Sequence, residues 1–88
     1  MTTDEQSKLV ITLGHEIRPI LAGRGPDVQG GVLADLVSMF LAGHMVPGDR
    51  VATREIREAL LTEHIKCVRK LIPVNARIMG AEVTHDDN

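Results

Sequence analysis

The side chains able to do chemistry are few and scattered. His64 and Cys67 stand at i, i+3, a spacing that turns both to one side of a helix and could supply two ligands to a metal. A complete site would need one or two more, from His15, Glu16 or His44, and no local Cys-x-x-Cys pair anchors it, so no metal or cofactor is expected. Cys67 also packs well as a small apolar residue. Arg57 lies seven residues before His64 on the same helical stripe, and Asp35 is the one charge inside an apolar run. Buried charges need partners, so Asp35, Arg57 and His64 are expected to form a buried or half-buried polar cluster. Such a cluster either fixes helix register or responds to pH or a ligand. Arg50, Arg54 and Arg57 recur at helical spacing near a helix start, where helix–turn–helix proteins meet DNA. Cations there oppose the helix dipole and ask for an anion nearby, such as Asp49, Glu58 or Asp35.

His15 belongs to the run Gly14-His15-Glu16-Ile17-Arg18-Pro19-Ile20-Leu21. The order His-Glu-Ile-Arg followed by Pro resembles the phospho-acceptor box of sensor histidine kinases, in which His-Glu-Ile/Leu-Arg leads into Pro-Leu. The resemblance implies an exposed histidine, His15 in this sequence, accepting a phosphoryl group on a helix of a dimeric hairpin. It spans about eight residues, lacks the residue that usually separates Arg from Pro, and is followed by nothing like an ATP-binding domain. No Gly-x-Ser-x-Gly elbow is present, and Gly23-Arg24-Gly25 and Gly30-Gly31 lack the strand-to-helix context of a nucleotide loop. Gly25-Pro26-Asp27 with Arg24 beside it could offer amides to an anion, but it reads as a plain turn. A conventional active site is not expected.

The elements that would carry these residues are all helical. Thr3 or Asp4 caps a first helix over 4–22, with Leu9, Val10, Leu13, Ile17, Ile20 and Leu21 on one face. Pro19 predicts a kink or an early end. A second helix, 27–43, starts at Asp27 or with Pro26 as its first residue. Val28, Val32, Leu36 and Met39 line one side of it, and Leu33, Val37, Phe40 and Leu41 continue the apolar surface. Gly31, Ala34, Ser38 and Ala42 leave a strip of small residues. A helix apolar nearly all round must be covered nearly all round. Asp49 or Thr53 caps a third helix, 50–72, whose broad apolar face includes Ile56, Leu60, Leu61, Ile65, Val68 and Leu71. Pro73 ends or kinks it, with a kinked continuation or a short fourth helix beyond. Residues 84–88 are expected to be a disordered tail.

Composition bounds the job. The 88 residues read as one domain, 1–88, near the lower limit for a self-sufficient core. Hydrophobic residues are 43% of the chain but aromatics 1%, so the core must be aliphatic and helix-packed. A core of this size supplies about 3–5 kcal/mol, and one cysteine excludes an internal disulfide. The expected fold is therefore all-α, an antiparallel three-helix arrangement completing its core as a homodimeric bundle. Ala34, Ser38 and Ala42 would sit at its twofold contact. Leu36, Met39, Phe40, Leu60, Leu61 and Val68 are the further interface candidates, toward a second copy or another protein. A net charge of −2 argues against nucleic acid as partner. The polar, acid-bearing start MTTDEQSK does not read as a signal peptide, and the longest apolar run is too short and Gly-rich to span a membrane. A cytoplasmic regulatory or interaction protein is the expectation.

Overall fold

The computed structural model describes residues 1–81, and over them the chain is all helical. Its order is α1 (Thr3–Leu21), α2 (Pro26–Ala42) and α3 (Arg50–Ile78), with no strand among the described residues. The tail expected at 84–88 lies outside them. The chain forms two compact units, Met1–Val37 and Ser38–Asn88, and the boundary between them falls within α2.

In the first unit the cap of α1 is one residue earlier than either candidate. Thr2 takes the backbone N–H of Glu5 on its hydroxyl at 3.1 Å, and the Glu5 carboxylate accepts the Thr2 N–H at 3.4 Å, a reciprocal capping box. Thr3 and Asp4 are already helical, where Asp4 and Glu5 face the positive end of the dipole. Pro19 does not stop the helix at once. It removes the donor that would reach the His15 carbonyl, and the helix runs two residues further to Leu21. Gly23, at φ 77°, supplies the left-handed step that turns the chain. Pro26 then opens α2, where a missing N–H costs nothing. Gln29 reaches back across the turn and donates to the Leu21 carbonyl at 2.9 Å.

In the second unit, α2 ends with the Gly43 N–H on the Met39 carbonyl at 3.0 Å. Of the two candidate caps for α3, Asp49 takes the role, its carboxylate accepting the Ala52 N–H at 2.9 Å. Gly48, at φ 76°, is the left-handed residue of this turn. α3 is 29 residues long, about 43 Å at 1.5 Å per residue, and passes through Pro73 without a break. Of the two expectations beyond Pro73, a continuation or a separate short helix, the structure has the continuation, one helix to Ile78. The lost donor affects one carbonyl, that of Arg69, on an exposed stretch of helix where water can take its place. α2 and α3 touch near this turn, through Arg57 against Ala42 and His44 and through Phe40 beside His64.

No described residue is buried. The least exposed are Gly14, Leu21 and Gln29, then Val37, Leu41 and His44, then Ala52, Thr53, Arg57, Leu60, Leu61, His64 and Ala76 along α3. No helix among the described residues is long and apolar enough to cross a membrane.

Candidate functional site

The most organised polar region is the connection 43–49 with the first two turns of α3. Thr53 is its centre. Its hydroxyl accepts the Val46 N–H at 3.0 Å and lies 2.7 Å from the Asp49 carbonyl and 3.2 Å from that of Val46. One hydroxyl proton cannot serve both carbonyls, and the shorter contact favours Asp49. One turn on, the half-buried Arg57 donates from Nε to the His44 carbonyl at 3.0 Å and from Nη2 to the Ala42 carbonyl at 2.8 Å. These are carbonyls at and just past the end of α2, which need partners from outside the helix. α2 carries no basic residue in its own last turn, so Arg57 supplies from α3 the cation that its negative end favours. The His44 ring closes the group. Its Nδ1 is 2.8 Å from the Phe40 carbonyl, a bond the ring makes when Nδ1 carries the proton. Phe40 meets the His44 ring edge-on at 5.0 Å and the His64 ring at 6.3 Å.

Of the residues expected to form a polar cluster, Arg57 and His64 are half-buried in this region and Asp35 is exposed on α2. The charge on Arg57 is met by main-chain carbonyls, which a reading of side-chain types does not reveal. Thr53, considered as a helix cap, is instead the clasp of the turn. The signal was legible in the four-residue spacing from Asp49 to Thr53, since threonine bonds readily to the carbonyl one turn earlier. Arg50 and Arg54 are exposed and line an open groove with Met45, Val46, Arg57 and Glu58.

His15 is exposed on α1. Cys67 is exposed and free, while His64, three residues away, is half-buried beside Phe40. Among the described residues no group of three His, Cys, Asp or Glu side chains converges to hold a metal. Of the interface candidates, Leu36, Met39, Phe40 and Val68 are exposed, and Leu60 and Leu61 are half-buried. Ala34, Ser38 and Ala42 are exposed as well, and a side chain added at Gly31, on the same face, would meet nothing within 4 Å. No family model, curated protein or solved structure matches the chain.

Proposed function

We propose that this chain is a small regulatory interaction protein, an antiparallel three-helix arrangement that completes its core as a homodimeric bundle or against a partner protein. The observation that carries the reading is the absence of any buried residue among those described, in a chain that is 43% hydrophobic. α2 and the apolar face of α3 are the adhesive elements, with Leu36, Met39, Phe40, Leu60, Leu61 and Val68 as contact residues.

Molar mass in solution tests this directly, by light scattering with refractive-index detection because the chain has no Trp or Tyr. A dimer persisting to low micromolar concentration is the expected result. A monomer at every concentration would remove self-association and leave docking to a different protein as the remaining form of the proposal.

The exposure of His15 favours a second reading, a phosphotransfer module, since an acceptor imidazole must reach its donor. Incubation with acetyl phosphate or a phosphodonor kinase, followed by mass measurement of wild type and His15→Ala, tests it. An unmodified wild type ends that reading. DNA binding through Arg50, Arg54 and Arg57 draws less support, because the Arg57 guanidinium is engaged by the Ala42 and His44 carbonyls. A negative gel shift at low salt would remove it.

A further inference from the structure

We infer that the half of α3 beyond His64 lies on an anionic lipid surface, its apolar side in the acyl region and its cations among the headgroups. Between Glu63 and Glu82 the sequence holds no Asp or Glu, in a chain with 12 acids against 10 bases. The same stretch holds Lys66, Arg69, Lys70 and Arg77. Because α3 runs through Pro73 unbroken, residues 65–78 share one helical wheel. At about 100° per residue, Ile65, Val68, Leu71, Ile72, Val74 and Ile78 fall within one half of the circumference. The four cations occupy an arc of about 100° in the other half. Arg69 and Lys70 border the apolar half on its two sides, each about 40° from the nearest of those six residues. Asn75 is the one polar amide inside it.

The part-covered positions on this side of α3, Arg57, Leu60, Leu61 and His64, stop at His64. From Ile65 to Ile78 only Ala76 is not exposed, and Leu71 is open at 52%, Ile72 at 59% and Ile78 at 76%. An apolar half-circumference is wider than the seam between two coiled helices, and it is what a cylinder lying in a flat interface immerses. The cations decide which interface. The same face of a second copy presents the same cations and no acid to pair them. A nucleic acid would meet the cations and leave the apolar half in water. An anionic bilayer answers both, because Arg69 and Lys70 reach headgroup phosphates from the margins while their stems stay along the apolar surface. The inference goes beyond the association proposed above, and of the contact residues named there only Val68 lies on this surface.

Cys67, the one cysteine of the chain, is exposed just inside the margin of the apolar half and takes a nitrobenzoxadiazole label without any substitution. Vesicles of phosphatidylcholine with about one third phosphatidylglycerol should brighten the label and shift it to the blue, and pure phosphatidylcholine should not. Sedimentation of the unlabelled chain with the same vesicles checks that the label is not the anchor. Arg69→Gln with Lys70→Gln should weaken binding about 25-fold, about fivefold for each cation removed from an anionic surface. Leu71→Gln should weaken it about tenfold. Lys8→Gln with Arg18→Gln removes as much charge away from this face and should change binding less than about twofold. Helix content at 222 nm is checked for every variant. No response to either vesicle overturns the inference and leaves an acidic protein surface as the match for these charges. Equal binding to both vesicles also overturns it, since the cations would then have no part. An equal loss from the Lys8 and Arg18 pair overturns the placement on α3.

Discussion

The two connections between helices solve the same problem with very different means. The first, between Leu21 and Pro26, is held by local backbone bonds, an exposed Arg24 Nε–Ile20 carbonyl contact at 3.3 Å, and the Gln29 amide on Leu21. The second, between Ala42 and Arg50, is tied by Thr53, Asp49, His44 and Arg57, and two of the Arg57 bonds cross from α3 to the end of α2. No described residue is buried, so directional bonds carry much of what holds each connection. The second connection is the more heavily bonded of the two. The first holds one long-range side-chain bond.

Substitutions can break or sharpen that contrast. Arg57→Ala should be the most damaging, since it strips a charge-assisted pair of bonds from the Ala42 and His44 carbonyls, the second of them part-buried. A loss of about 2 kcal/mol is expected, read from the denaturant midpoint followed by circular dichroism. Arg57→Lys should recover part of it, because one ammonium cannot span both carbonyls as the guanidinium does. Thr53→Val keeps the shape and removes the hydroxyl, and about 1 kcal/mol should go with it. Gln29→Ala in the first connection is expected to cost less, about 0.5 kcal/mol. If Gln29→Ala costs more than Thr53→Val, the ranking of the two connections is reversed. At the bottom of the scale, Lys66→Ala breaks an exposed i, i+3 pair with Glu63 at 3.2 Å and should change the midpoint by no more than about 0.3 kcal/mol.

Much of the helical layout could be read from residue types. Apolar periodicity and the Gly-Pro breaks at 23–26 and 43–48 announce three helices, because both act locally. What residue types leave open has a common cause. Thr2, Thr3 and Asp4 are caps of equally good type, and only the reciprocal bond with Glu5 selects Thr2. Residue type leaves open whether Pro73 ends α3 or lets it continue, and on an exposed helix a single lost donor is tolerated, so it continues to Ile78. Arg57 donates to the backbone carbonyls of Ala42 and His44 at the end of another helix. No residue type signals those. The apolar excess of α2 is plain from its composition.

Thermal unfolding followed at 222 nm, at two concentrations about a hundredfold apart, tests most directly whether association completes this fold. A chain whose core is shared with a second copy loses stability on dilution, because its folded state is coupled to assembly by mass action. The midpoint should therefore rise clearly with concentration. A midpoint that stays the same, with full helix content at the lower concentration, would show that the chain holds its helices alone, and would contradict the account.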